Sequence, residues 1–163
     1  MLKFLYPTID NAKAIFNLVS TYKDEIWDFL PWIYNIKTVE DERLFLLNTY
    51  RKWEYWYWIY DNENLVWYVW LYNIHYDEDW KCCCELWIWT TKKWTWYKAM
   101  SEIISEYNYY DKFIAIINVN NNKSISMIER LWFKKEDEIK KYRILNWKYE
   151  NVYVYTYINN RKK

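Results

Sequence analysis

The chain contains no glycine. Its 163 residues include 14 tryptophans and only two prolines. Average usage would give roughly 11 glycines in a chain of this length. Glycine is the residue that adopts left-handed backbone at turns, helix ends and bulges without steric cost. A chain of this composition must build those features from residues that carry a Cβ atom, and this limits its fold more than any other feature.

Many of the tryptophans occupy positions where glycine is physically expected. In "LNWKYE", Trp147 follows Asn146 at a hairpin turn, where Asn-Gly is the favoured pair. A bulky residue in the left-handed region costs about 1–2 kcal/mol. Ten such costs would consume most of a stability of about 5–15 kcal/mol. The other tryptophans at such positions are Trp67, Trp70, Trp87, Trp94, Trp96 and Trp132.

We therefore hypothesise that most of these tryptophans stand where glycine belongs. Reading glycine UGA codons as tryptophan would produce this pattern, and so would deliberate replacement of glycine. The codons at 87, 94 and 96 distinguish the two explanations. UGG at all three positions would contradict the codon explanation.

Composition excludes several classes of partner. The chain has 23 basic and 22 acidic residues, with a net charge of +1, so electrostatics predict no nucleic acid and no anionic membrane as the main partner. No run reaches the apolar length of a membrane span. The start, "MLKFLYPTID", lacks the apolar core of a signal peptide, and it predicts the first strand of a cytoplasmic protein. The length predicts a single domain over 1–163, with a basic tail over 159–163.

The three cysteines are adjacent, at 82–84. Adjacent strand residues point to opposite faces, so these cysteines predict neither a disulfide framework nor the separated ligand pairs of a zinc site. We expect small apolar residues of a buried strand in a reducing compartment, and no metal.

Apolar periodicity and turn residues predict the order β-α-α-α-β-β-β-α-β-α-β-β. This is an α/β chain with a mixed, mostly antiparallel sheet of six to seven strands, flanked by helices and containing one β-α-β crossover. The third helix begins after Thr38, where Thr38-x-x-Asp41 resembles a capping box. Its spacing predicts that Leu44, Leu47 and Tyr50 point inward.

The central strand leads through an unusual loop into a helix, in "CCCELWIWTTKKWTWYKAM". With glycine in place of tryptophan, such a loop exposes several backbone N–H groups at a helix N-terminus. That arrangement suits a pyrophosphate, and Lys92, Lys93 and Lys98 add positive charge. The loop lacks the acidic residue of a dinucleotide fold and the Gly-Lys-Ser/Thr of a P-loop.

These residues resemble a known superfamily. "ELWIW…KKWTWYKAM" looks like motif A of the GCN5-related N-acetyltransferases (GNAT), and "INVNNNKSISMIERLWFKKED" resembles their N-x-x-S segment. "DFLPWI", "LVWYVWL" and "LNWKYENVYVY" are similar to the ribosomal-protein, RimJ/RimL-like branch. The resemblance covers nearly the whole chain. The glycines that the family requires fall on Trp67, Trp87, Trp94, Trp96, Trp132 and Trp147.

The resemblance implies direct transfer of an acetyl group from acetyl-CoA to an amine. It places the pyrophosphate on the backbone N–H groups of 93–97, and the pantetheine where the central strand and "KFIAIINV" diverge. The implied cofactor-binding residues are Ile88, Lys92, Lys93, Trp94, Thr95, Trp96, Tyr97, Asn121 and Ser124. In this role, Ile88 would supply an oxyanion N–H. Two departures from the family pattern are Thr91, where Gln or Arg is frequent, and a loop about two residues short.

The reaction requires a base, because the amine must lose a proton. The candidate is Glu85, acting through water, and its alternative is an ordinary strand carboxylate. Ser124 is the candidate acid or hydrogen-bond donor for the leaving thiolate, with a helix N-cap as its alternative. By resemblance, Glu25, Asp28 and Trp32 edge the acceptor site.

Three functions remain open at this point. The first is acetylation of a protein N-terminal α-amine, and the second is acetylation of a polyamine or aminoglycoside by the same fold. The third is a non-enzymatic, aromatic-rich binding module, or an enzyme that is inactive if Trp94 and Trp96 fill the pyrophosphate space. The expected partner is a peptide N-terminus or a small amine, and the chain is expected to be a monomer or a homodimer.

Overall fold

A computed structural model describes residues 2–26, 31–50, 55–61, 64–90, 96–145 and 148–159. The strands are β1 (Leu2–Leu5), β2 (Tyr55–Asp61), β3 (Asn64–Tyr76), β4 (Cys82–Thr90), β5 (Lys112–Asn118), β6 (Lys134–Leu145) and β7 (Lys148–Ile158). The helices are α1 (Ala12–Thr21), α2 (Lys23–Ile26), α3 (Val39–Tyr50), α4 (Trp96–Glu106) and α5 (Asn122–Arg130), with 3₁₀ turns at Ile9–Asn11 and Pro31–Asn35. This order confirms the predicted one.

The strands form one seven-stranded sheet in the order β1-β2-β3-β4-β5-β7-β6. The pairs β1–β2, β5–β7 and β6–β7 are antiparallel, and β4–β5 is parallel across the α4 crossover. The predicted mixed, mostly antiparallel α/β architecture is confirmed. Within the described residues, no helix is long and apolar enough to cross a membrane.

The chain divides into two compact units. The first contains Met1–Trp70 and Ile88–Thr91, and the second contains Leu71–Trp87 and Lys92–Lys163. Strands β3 and β4 therefore contribute residues to both units. A single domain over 1–163 stays a prediction.

In the first unit, α3 begins as its sequence predicts. The N–H of Thr38 donates to Asp41 Oδ2 at 2.8 Å, and the N–H of Asp41 donates to Thr38 Oγ1 at 3.1 Å. This reciprocal pair satisfies two N–H groups at the helix start. Asp can therefore replace the usual Glu or Gln of a capping box here.

The inward face of α3 differs from the prediction. Leu44 and Leu47 are 53% and 40% exposed, whereas Glu42 and Leu46 are buried. The prediction for the two leucines was wrong because Leu44, Phe45, Leu46 and Leu47 form a continuous apolar run. Such a run covers every side of a helix and does not define one face.

In the second unit, the two faces of the sheet differ. Along β5, Phe113, Ala115 and Ile117 are buried on one face. Ala115 lies opposite Tyr155 of β7, whose hydroxyl donates to Glu129 Oε1 of α5 at 2.9 Å. Helix α5 therefore lies on this face, and the alternate residues of β5, which include Asn118, lie on the other.

Among the described residues, left-handed backbone occurs at four positions: Asn73 (φ 47°), Trp80 (φ 60°), Trp132 (φ 67°) and Lys141 (φ 53°). Trp132 follows the C-cap of α5, and its N–H donates to Glu129 O at 3.1 Å. Trp80 closes the turn between β3 and β4 through an N–H bond of 3.0 Å to Asp77 O. Helix C-termini and hairpin bulges are places where glycine is preferred. The geometry at Trp132 supports the glycine hypothesis, and Trp80 is a further site that the sequence pattern missed.

Candidate active site

Glu85 lies at the last point where β4 and β5 are in register. The parallel pairing joins Cys83 to Lys112, Cys84 to Phe113 and Glu85 to Ile114. Both strands continue beyond this point, β4 to Thr90 and β5 to Asn118. Because Glu85 lies opposite Ile114, it shares the face of β5 that faces away from α5.

The carboxylate of Glu85 is buried, with 9% of the residue exposed, and it has two donors on β3. Asn73 Nδ2 donates to Glu85 Oε1. The hydroxyl of Tyr72 also hydrogen-bonds Glu85, and burial, followed by the charge of Glu85, raises the pKa of Tyr72. Tyr72 therefore remains a neutral phenol and donates to the carboxylate.

A second buried carboxylate belongs to Glu150, which is 5% exposed. It accepts from Asn118 Nδ2 of β5 and forms an ion pair with Arg143 Nε of β6. The Arg143 side chain is 42% exposed. Glu150 is thus paired from two neighbouring strands, as a buried charge requires.

Tyr142 links the two carboxylates electrostatically. Burial, then the negative charge of Glu85, raises the pKa of Tyr142, with a smaller contribution from Glu150 and an opposing one from Arg143. The group made by Tyr72, Asn73, Glu85, Asn118, Tyr142, Arg143 and Glu150 is named the carboxylate cluster below. With two carboxylates and one guanidinium, its net charge is −1.

A bulge in β6 places Tyr142 and Arg143. The register with β7 shifts between Ile139 and Arg143, and Lys141 is left-handed. The N–H of Lys141 donates to Asn151 Oδ1 at 2.9 Å, which fixes the bulge. Bulges of this kind redirect side chains next to functional sites.

The start of α5 is capped by Asn121. Its side chain accepts the N–H of Ser124 at 3.1 Å, and its carbonyl accepts the N–H of Ile125 at 3.0 Å. The alternative that Ser124 caps this helix is therefore wrong, because the capping oxygen belongs to Asn121. In the described part of the chain, no hydrogen bond joins Ser124 to Glu85.

Only part of the predicted pyrophosphate loop is described. Lys92, Lys93, Trp94 and Thr95 lie outside the described residues, and α4 begins at Trp96. The first N–H groups of a helix have no acceptor within it, so they offer donors and partial positive charge to an anion. Tyr97 is 52% exposed in this first turn.

Trp96 is buried at 4% exposure. Its indole N–H has no hydrogen-bond partner in the described part of the chain. Burying an unpaired donor costs free energy, so this environment agrees with the hypothesis that glycine belongs at 96.

The remaining predicted residues are only partly described. Glu25 lies in α2 and Trp32 in the 3₁₀ turn Pro31–Asn35, although the side chains of both lie outside the described part. Asp28 lies outside the described residues, and Ile88 lies half-buried in β4. Their predicted roles stay predictions. Among the described residues, no group of His, Cys, Asp or Glu could hold a metal ion.

The sequence named Glu85 as a candidate base, but it did not indicate the other members of the carboxylate cluster. These are Tyr72, Asn73, Asn118, Tyr142, Arg143 and Glu150. The one available signal was Asn73 in "VWLYNIHY", because asparagine is depleted in strands. The other contacts depend on strand register and on two left-handed residues, which periodicity does not reveal.

Comparison with known proteins gives a clear result for the fold. No protein-family model and no curated protein sequence matches the chain. Among solved structures, it is similar to RimL, a ribosomal L7/L12 α-N-protein acetyltransferase in complex with coenzyme A, with a TM-score of 0.85 and 18% identity. That alignment covers 96% of this chain and 93% of RimL. The chain has the GNAT acetyltransferase fold.

Two further structures with this GNAT fold agree. The microcin C7 self-immunity acetyltransferase MccE, in complex with acetyl-CoA and AMP, has a TM-score of 0.85 and 20% identity, covering 96% of this chain and 92% of MccE. The ribosomal-protein-S5-alanine acetyltransferase from Vibrio fischeri has a TM-score of 0.79 and 17% identity, covering 99% of this chain and 95% of that one. The fold implied by the motif resemblance is confirmed.

Proposed function

We propose that the chain is an acetyl-CoA-dependent N-acetyltransferase whose acceptor is the N-terminal α-amine of a protein. The observation that carries the proposal is the match over 96% of the chain, at a TM-score of 0.85, to acetyltransferases in complex with coenzyme A or acetyl-CoA. RimL and the S5-alanine enzyme are named for protein acceptors. The motifs of the sequence support the same function independently.

The chemistry requires a proton acceptor near the thioester. The amine nitrogen attacks the thioester carbonyl carbon and forms an N–C bond, and the C–S bond then breaks. The proton leaving the nitrogen passes through water to Glu85, and the coenzyme leaves as a thiolate. Glu85 suits the role because it is a buried carboxylate whose donors, Asn73 and Tyr72, fix its position.

The remaining assignments extend this proposal. Ser124 would donate a hydrogen bond to the leaving thiolate, which takes its proton from water, and Asn121 would lie beside the coenzyme. The backbone at 93–97 would hold the pyrophosphate, with Lys92 and Lys93 supplying positive charge. Glu25, Asp28 and Trp32 would edge the acceptor site, and the N–H of Ile88 would stabilise the oxyanion.

The charge of the carboxylate cluster favours an amine acceptor. Its net charge of −1 would attract an ammonium group, which then loses its proton before attack. The cationic acceptor and the base are thereby brought to one place. Polyamines and aminoglycosides are cations as well, so the experiment must compare them directly.

The test is an acetyl-transfer assay with an unmodified peptide and with the same peptide blocked by N-terminal acetylation. We expect thiol release and a gain of one acetyl group at the N-terminus of the unmodified peptide alone. Spermidine and an aminoglycoside serve as competing acceptors. A faster reaction with either of these contradicts the N-terminal assignment, and absence of saturable acetyl-CoA binding by the Trp94→Gly/Trp96→Gly variant contradicts the enzyme assignment.

The tryptophans of the loop call for a paired measurement. The affinity for acetyl-CoA is compared between the parent chain and the variant Trp94→Gly/Trp96→Gly. We expect tighter binding by the variant, because glycine removes two indoles from the pyrophosphate loop. Trp80→Gly is the matched control, since it changes an exposed tryptophan in another turn. Equal affinity in the parent chain and the loop variant contradicts the glycine hypothesis at this loop.

The proposed location is the cytoplasm, where acceptor proteins and acetyl-CoA meet. All three cysteines are free, with Cys83 and Cys84 buried. Free, adjacent cysteines are typical of a reducing compartment. Their burial in β4 agrees with the apolar role that the sequence predicts.

A further inference from the structure

Two consecutive residues of β3 contact the same carboxylate. Asn73 donates to Glu85 through its side-chain amide, and Tyr72 through its hydroxyl. Consecutive residues of a regular strand point to opposite faces of the sheet. Convergence on one carboxylate therefore requires a departure from regular strand geometry.

The backbone at Asn73 provides that departure. Its φ of 47° is left-handed, although the residue lies inside β3. Asparagine tolerates this conformation better than most residues with a Cβ atom, but glycine would adopt it more readily. The side-chain amide is the group that glycine would lack at this position, and it is the group of Asn73 that donates to Glu85.

We propose that Tyr72 and Asn73 form a two-donor clamp that positions Glu85 as the proton acceptor of the acetyl transfer. This inference rests on the proposed function. Asn73 holds one carboxylate oxygen in place, and both donors favour the ionised form, which accepts a proton. Tyr72 and Asn73 are positioning residues, because they act through Glu85.

Other charged groups approach Glu85 from neighbouring strands. Tyr142 of β6 interacts with its charge, and Arg143 and Glu150 act on Tyr142 from β6 and β7. Tyr72, from β3, is kept neutral partly by Glu85 itself. The clamp supplies the hydrogen bonds to Glu85, while the ion pair of Arg143 with Glu150 balances charge beside it.

Asn73→Gly separates the amide from the backbone. Glycine keeps the left-handed conformation and removes only the donor. The substitution is made in whichever form is active, the parent chain or Trp94→Gly/Trp96→Gly. We expect its kcat/KM to fall about 10-fold near pH 6, because a charge-assisted hydrogen bond is lost. The rate should recover to within about 3-fold near pH 9, where the base is ionised without the donor.

Two further variants extend the series. Asn73→Asp places a negative charge beside Glu85, so the acidic limb of the profile should move further toward high pH. Tyr72→Phe should move the acidic limb in the same direction, by a smaller amount. The KM for acetyl-CoA should stay unchanged in all three, and Trp80→Gly, at another left-handed position, should keep the parent profile. A uniform loss of rate at every pH, or an unchanged profile in Asn73→Gly, overturns the clamp.

A thermal double-mutant cycle tests the clamp without activity. Asn73→Gly removes the donor of this hydrogen bond and Glu85→Leu removes its acceptor, so their shifts in Tm should be less than additive in the double variant. Additive shifts overturn the clamp. If neither the parent chain nor Trp94→Gly/Trp96→Gly transfers an acetyl group, the proposed function fails, and this cycle still decides whether the clamp exists.

Discussion

Two buried glutamates of this protein have opposite surroundings. Glu85, in β4, is 9% exposed and has two donors, whereas Glu42, in α3, is 0% exposed. Neither carboxylate oxygen of Glu42 has a hydrogen-bond partner in the described part of the chain. Burial raises the pKa of Glu42 from 4.5 to about 7. Burial alone therefore keeps a carboxyl neutral, and donors are what allow a buried carboxylate to remain charged.

The two glutamates therefore differ in the property that each should affect: Glu85 is the proposed base, whereas Glu42 lowers the free energy of unfolding. Glu85 is the proposed proton acceptor, and Asn73 and Tyr72 donate to its carboxylate. Glu42 holds its proton until the pH approaches 7 and then becomes an unpaired buried charge. Four predictions test this difference, in order of decreasing expected effect.

The largest effect is expected from Glu85→Gln. Loss of the base should lower kcat by about 100-fold or more at neutral pH, while the fold persists. The measurement is acetyl transfer at saturating acetyl-CoA. Glu42→Gln is the matched control and should keep kcat. Equal losses in the two variants would show that the contrast is not functional.

Glu42→Leu should stabilise the protein by about 3 kcal/mol above pH 7. The unfolded carboxyl loses its proton near pH 4.5 and the folded one near pH 7. Parent stability therefore falls as the pH rises between these values, and this fall should disappear in the variant. Urea unfolding at pH 4 and pH 8 measures the difference. Glu40→Leu, on the exposed side of α3, should change stability little, and an equal gain there would contradict the explanation.

Arg143→Met should leave Glu150 as a buried carboxylate without its ion pair, which brings it closer to the surroundings of Glu42. Glu150 is buried and loses its ion pair, so we expect a loss of about 2 kcal/mol, reduced by the partial exposure of Arg143. Urea unfolding at neutral pH measures the loss. Adding Glu150→Gln should restore part of the stability. No recovery in that double variant would argue against an unpaired charge as the cause.

The smallest effects on stability are expected from glycine substitutions at left-handed residues that contact no carboxylate. Trp80 and Trp132 are left-handed and 83% and 80% exposed. Glycine at either position should raise stability by about 1 kcal/mol, because the Cβ clash disappears and little packing is lost. Thermal unfolding measures the gain. Alanine at the same positions keeps the Cβ atom and should give none, so a gain with alanine would assign the effect to the indole instead.

The sequence predicted the order of elements and several local details. The capping box of Thr38 and Asp41 forms as predicted because capping depends on residues three apart in the chain. The left-handed position at Trp132 follows a helix end, and the chain signals that locally as well. The sequence also named Glu85 as the candidate base, a role that stays a prediction, and the structure places this residue at the end of the β4–β5 pairing.

What the sequence did not reveal depends on residues far apart in the chain. Glu42 was not predicted to be buried, because the apolar run beside it covers every side of the helix. The partners of Glu85 and Glu150 come from three strands, β3, β5 and β6, and the left-handed residues Asn73 and Lys141 determine which side chains converge. A shift of one residue in register would reverse the face of each side chain.

The sequence by itself determined the order of the α/β elements and the capping box of α3, since both follow from periodicity and local sterics. Only the tertiary structure decided which carboxylate has donors and which has none. The physical reason is that a carboxylate responds to the groups within a few ångströms of it, and strand register and backbone handedness bring those groups together.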